Sequence, residues 1–277
     1  MTLSPRPTPD RVWQRFVAIG DSFTEGMSDP SPSDPDSYVG WADRLAFRLA
    51  ARNSLEDKPF GYANLAIRGR LLADVVGPQV ETALALSPDL VSIVGGANDC
   101  LRPSVDLDSV ADRLEDAVAQ VRATGADVIL ATTADPVDAP VLKRVRGRLA
   151  VHAANLWGIG QRQGCYVLDL WTMRPLRDPR MWAPDRIHLT TGGHQRVAAQ
   201  AAWLLGLPDD GFDWRAPLPP MAAPTKIEAA QANAAWTRTQ LTPWVQRRVQ
   251  GRSSGDGRQP KRPDVAPIPP VSQSPRT

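Results

Sequence analysis

Apolar residues along the chain fall into short unbroken runs that alternate with stretches where they recur every three or four positions. The first run, Arg15 to Ser22 (RFVAIGDS), ends at a glycine turn and predicts a buried strand. Trp41, Leu45 and Leu49 then repeat at helical spacing. Gly61–Ile67 reads as a second strand, followed by Leu72, Val75, Val76, Val80 and Leu84 on one helix face, with Pro78 as an expected kink. Asp89–Gly96 is the third strand. Leu107, Val110, Leu114, Val118 and Val121 then predict a helix that stops near Gly125. Asp127–Thr133 and Cys165–Trp171 complete the strands, separated by a helix from about Pro140 to Gln161 and followed by one from about Gly193 to Leu205. Because the strands are apolar throughout, they predict a parallel sheet buried on both faces. The expected body is a three-layer α/β/α sandwich of five parallel strands over residues 15–207.

Past Leu207 the pattern changes. Thr225-Lys-Ile-Glu228 is a capping box that should open a helix to about Gln240. Thr242-Pro243 reads as the start of another, ending at Gly251. Residues 208–251 are therefore expected to form a helical appendage, docked through Phe212, Trp214, Ile227, Trp236, Leu241 and Trp244. Residues 1–14, polar and proline-rich, are expected to be a flexible N-terminus, and residues 252–277, rich in proline and poor in large apolar side chains, to be disordered.

Composition narrows the function more than the fold. The net charge of +2 over 277 residues leaves a nearly neutral body with a mildly basic tail, which gives no footprint for nucleic acid. No run of apolar residues is long enough for a membrane span, and MTLSPRPTPDR lacks the apolar core of a signal peptide, so a soluble cytoplasmic protein is expected. Two cysteines and three histidines show no metal-ligand spacing, and neither a metal nor another cofactor is expected.

In a parallel α/β sheet, ligands bind beyond the carboxyl ends of the strands. Four such ends carry polar groups. Gly20-Asp21-Ser22 presents a hydroxyl, the loop Asn64–Gly69 a glycine amide, Gly95–Asp99 the carboxamide of Asn98, and Asp185-Arg-Ile-His188 a carboxylate within reach of an imidazole. Each alone is weak, since a Ser after Gly-Asp is usually a turn residue and Asn98 or Gly69 could simply serve a turn. Together they supply a nucleophile, a base, an orienting carboxylate and oxyanion donors.

GDSFTEG (Gly20–Gly26), NLAIRG (Asn64–Gly69), GGAND (Gly95–Asp99) and DRIH (Asp185–His188) resemble the four blocks of the SGNH (GDSL-type) hydrolases, with Phe23 in place of the leucine of the motif name. The resemblance implies a flavodoxin-like fold of strand order 2-1-3-4-5. It implies Ser22 as nucleophile, His188 as base, Asp185 as its orienting partner, and an oxyanion hole of the Ser22 amide, the Gly69 amide and Asn98. It also implies a small-molecule ester substrate and no metal or cofactor. A carbohydrate O-deacetylase on the same site, and a non-catalytic phosphate-binding module, are the competing readings; no phosphate-binding glycine motif favours the second.

The remaining polar residues read as structural. Asp21 and Asp99 are expected to accept backbone N–H groups, His152 to be structural, and His194 to be exposed or to cap a helix. Met181 and Trp182 fit either an acyl pocket or packing on the last helix. Gly251–Gly255 fits the G-x-S-x-G elbow of another hydrolase fold, but no strand precedes it, so it is set aside. Pro267–Pro270 resembles a polyproline ligand.

Overall fold

The computed structural model describes residues 11–32, 34, 37–139, 142–208, 210–222, 225–243 and 253–268. Its sheet has the order β5-β4-β3-β1-β2-β6. Strands β1 (Arg15–Gly20), β2 (Gly61–Asn64), β3 (Leu90–Val94), β4 (Asp127–Ala131) and β5 (Tyr166–Leu168) are parallel. Five strands thus follow the expected order, and β6 (Arg262–Pro267) adds a sixth, antiparallel to β2.

The continuous apolar runs are explained by burial on both faces. Phe16 and Ala18 of β1 pack with one cluster, while the alternate residues Val17 and Ile19 pack with the other. The first layer holds α2 (Trp41–Ser54), which follows the one-turn helix α1 (Ser22–Glu25), and it also holds α8 (Thr191–Leu204). The second holds α3 (Leu72–Asp74), α4 (Val80–Ala85), α6 (Leu107–Ala123) and α7 (Arg146–Gln163), with the short α5 (Ala97–Cys100) at the end of β3. The kink expected at Pro78 is a π-helical turn, Val75–Gln79, joining α3 to α4. Proline has no N–H to give to the α-helical ladder, and the widened turn absorbs that loss.

The ends differ from expectation. Residues 1–10 lie outside the described residues, but Trp13 is buried and its indole donates to Asp127 at 2.9 Å, so the ordered body begins before residue 15. The disorder expected from residue 252 is overturned over 262–267 by β6. Its prolines are tolerated because it is an edge strand, where N–H groups can face away from the sheet. Pro267 pairs with Gly61, and Ile268 packs on the core. That part of the polyproline reading is therefore replaced by sheet pairing.

The capping box holds: Thr225 and Glu228 exchange hydrogen bonds at the start of α9 (Lys226–Trp236). Thr242, expected to be an N-cap, has helical backbone angles and continues a π-helical turn, Thr237–Leu241. Of the expected anchors, Trp214 packs on Trp203 and Trp236 is buried, while Ile227 is exposed. Trp244 and Gly251 lie outside the described residues.

Candidate active site

The carboxyl ends of β1 and β3, with the loops after β2 and before α8, bring the four polar segments together. β1 delivers the first. Gly20 has φ +153°, and a Cβ there would lie 2.6 Å from the carbonyl of Val94 and 2.8 Å from the Thr24 hydroxyl, so the turn out of the sheet requires glycine. Asp21 caps α1 by accepting from the Phe23 amide at 3.0 Å, which places Ser22 in the first turn of that helix.

Ser22 Oγ lies 3.0 Å from His188 Nε2, and His188 Nδ1 lies 2.6 Å from Asp185 Oδ2. The other carboxylate oxygen of Asp185 accepts from the amides of Ile187 and His188, at 2.9 and 3.0 Å. Burial of Asp185 favours its neutral form. The hydrogen bond from the imidazole, its charge and the two amides outweigh that, holding the carboxyl below its ordinary range. An ionised Asp185 fixes the proton on Nδ1 and leaves Nε2 as an acceptor facing the serine hydroxyl. Between the pair, Arg186 stands at φ +58°, a left-handed conformation that disfavours a side chain.

Gly69 sits at an exposed loop tip with φ +74°. Among the described residues, neither its amide nor that of Ser22 meets a hydrogen-bond acceptor. Asn98 is differently disposed. Its Nδ2 donates to Asp21 Oδ2 at 3.1 Å and to the carbonyl of Arg70 at 3.0 Å, which ties it to the same turn but commits it to protein partners.

The expected loop-fixing roles are present. Asp21 accepts from Phe23, and Asp99 accepts from the Leu72 amide at 2.9 Å. Desolvation raises the carboxyl of Asp21 to about 6, against the opposing hydrogen bond from Phe23 and the charge of His188. His152 is buried and donates through Nε2 to the carbonyl of Gly95 at 3.1 Å. His194 fulfils the second of its two expected roles, capping a helix: it is fully buried, stacked on Phe23, and accepts from the Trp41 amide at the start of α2. An α2 amide without an intrahelical partner needs such an acceptor. Burial lowers His194 to about 3, so it is a neutral packing group. Met181 is buried against α8, and the Trp182 indole donates to the carbonyl of Leu176, so both are committed to packing.

Several supporting residues gave no local signal. Gln79 reaches from the π-helical turn to both backbone groups of Gly20, accepting from its N–H at 2.7 Å and donating to its C=O at 3.0 Å. Glu25 accepts from the side chain and the backbone amide of Arg68, a buried pair that anchors the loop carrying Gly69 to the turn carrying Ser22. Their opposite charges in two adjacent motif blocks were the one available hint. Trp236 and Lys261 are also drawn to this region from far along the chain.

The model of the GDSL-like Lipase/Acylhydrolase family matches residues 18–196, most of the chain. The chain belongs to this family. As a GDSL-like hydrolase it is an esterase, and its solved neighbours share the fold. LAE5, an alpha/beta hydrolase enzyme from the metagenome of Lake Arreo, Spain, is 25% identical with a TM-score of 0.59, over 70% of this chain and 95% of its own. Axe2, an acetylxylan esterase from Geobacillus stearothermophilus, is 22% identical with a TM-score of 0.57, over 73% and 95%. TesA is 21% identical with a TM-score of 0.55, over 69% and 98%. A comparison with curated proteins gives no match. Each neighbour is thus covered almost whole, while over a quarter of this GDSL-like hydrolase has no counterpart in it. Among the described residues, no helix is long and apolar enough to cross a membrane.

Proposed function

We propose that this hydrolase cleaves carboxylic esters of small or medium acyl groups through an acyl-enzyme on Ser22. The observation that carries the proposal is the unbroken relay Ser22–His188–Asp185, with contacts of 3.0 and 2.6 Å. His188 Nε2 takes the hydroxyl proton as Ser22 Oγ bonds to the ester carbonyl carbon. The resulting oxyanion is held by the amides of Ser22 and Gly69, and by Asn98 once one of its N–H groups turns from Asp21 or the Arg70 carbonyl. The imidazolium then gives its proton to the departing alkoxide, leaving the acyl group on Ser22. Water enters, loses a proton to His188 and bonds to the acyl carbon; the imidazolium then returns the proton to Ser22 Oγ as its bond to that carbon breaks and the carboxylic acid leaves. Asp185 holds the tautomer and stabilises the imidazolium in both halves.

The test is a panel of chromogenic esters of rising chain length, with acetylated sugars alongside. Preference for the sugars would reassign the substrate to O-deacetylation without changing the chemistry. Ser22→Ala should lower kcat by a factor on the order of 10⁶ while the fold survives. A Ser22→Ala protein that keeps its activity overturns the reading.

A further inference from the structure

The acid–base loop is short, exposed on one side, and contains a residue in an unfavourable conformation. Such conformations are unfavourable and persist where surrounding structure over-determines them. Here the Arg186 N–H donates to the Ala183 carbonyl and the Ala183 N–H to the His188 carbonyl, both at 2.8 Å, and α9 adds contacts from outside. The Trp236 indole Nε1 donates to the backbone carbonyl of Asp185 at 2.9 Å. The guanidinium of Arg186 lies over the Trp236 ring, 5.2 Å from its centre, and donates to Asn233 Oδ1 at 2.6 Å. Asn233 and Trp236 are three residues apart, so they share a face of α9 and grip two successive residues of the loop. Trp236 is buried here although much of α9 is exposed, so this contact is the helix's main apolar attachment among the described residues.

The same C-terminal segment reaches the other side of the site. The Ser253 hydroxyl occupies the space a Cβ at Gly69 would need, and Gly255 packs on the carbonyl of Arg68. Lys261 Nζ donates to the carbonyls of Glu25 and Tyr38, at 2.6 and 2.9 Å, and to Asp43 at 2.6 Å, which ties the end of α1 to the start of α2. One segment outside the matched family region therefore touches the nucleophile turn, the Gly69 loop and the acid–base loop.

We infer that Trp236 is a positioning residue for the Asp185–His188 loop, and that α9 completes the active site rather than the core. The inference rests on the catalytic reading above. A hydrogen bond to the Asp185 carbonyl fixes the backbone from which the carboxylate aims at His188, and a displacement of about 1 Å there is felt directly in the rate.

The test is Trp236→Phe in the full chain, which removes the indole N–H and keeps an aromatic ring beneath Arg186. It is assayed with the chromogenic ester that the unaltered enzyme turns over fastest. The expected result is a kcat about tenfold lower, with KM and melting temperature nearly unchanged, because one net hydrogen bond is lost from a site that does not bind the substrate. In an Asp185→Asn background the same change should have little further effect on kcat. An unaltered kcat, or a loss that multiplies undiminished with that of Asp185→Asn, overturns the inference. Ser22→Ala separates the two levels. If it is inactive while Trp236→Phe is normal, only the role of Trp236 fails; if it is active, the catalytic reading fails with it.

Discussion

The two halves of the relay are held in opposite ways. Ser22 stands on a turn fixed from within: Gln79 takes both backbone groups of Gly20, Asp21 caps the helix, and the buried Glu25–Arg68 pair ties the turn to its neighbour. His188 and Asp185 stand on a loop closed by its own bonds, from the Ala183 N–H to the His188 carbonyl at 2.8 Å and from the Ile187 and His188 amides to Asp185, and gripped from outside by a mostly exposed helix through Trp236 and Asn233. The proposed nucleophile is thus held mainly by buried contacts, with Lys261 tying the far end of its helix, and the proposed base by its own loop and a peripheral helix. Stability and activity should fall together on one side and separate on the other.

The sharpest way to break this contrast is Asp185→Asn. It keeps an acceptor for the Ile187 and His188 amides but lets the imidazole take the wrong tautomer. As in other serine hydrolases, kcat should fall by about 10⁴, with far less effect on thermal melting. Steady-state kinetics beside a melting curve would decide it, and parallel losses would erase the difference between the halves.

Gln79→Leu probes the other side. It strands the buried N–H of Gly20, so the protein should lose about 1–3 kcal/mol in denaturant unfolding and lose kcat with it. Lost stability with full activity would mean that the nucleophile turn holds its shape without that bond.

Asp21→Asn sharpens the comparison through pH. The folded carboxyl titrates near 6, above its ordinary 3.8, so the folded state holds the proton more tightly than the unfolded chain. Stability is therefore lost as pH rises from about 4 past 6, by at most about 3 kcal/mol. Asparagine carries no such proton, so that part of the pH dependence should vanish in unfolding measurements from pH 4 to 8. An unchanged slope would place the titration elsewhere.

What the sequence made visible was whatever is written locally. The five parallel strands announced themselves as unbroken apolar runs, Ser22 and Asn98 as polar residues just past strand ends, and Asp185 and His188 as a carboxylate–imidazole pair before the last helix of the body. The supporting contacts depend on partners far apart in the chain. Nothing about Gln79 suggests Gly20, 59 residues away, and the polar neighbourhood of His194 conceals that, from α8, it is buried against the start of α2. The strand Arg262–Pro267 was hidden because prolines and charges argue against a strand, unless it lies on an edge and its lysine neighbour finds three part-buried acceptors.

The Lys261 contact also has a kinetic meaning. It joins residues 236 positions apart, close to the longest separation the chain can offer. Closing so large a loop forfeits more chain entropy than pairing β1 with β2 or β3, and contacts of this span are the slowest to reward their own formation. The parallel sheet can therefore assemble while the strap is still free, and the strap docks on an edge that already exists. A chain whose sheet has formed while the strap is still free lacks the Lys261 contact on the end of α1.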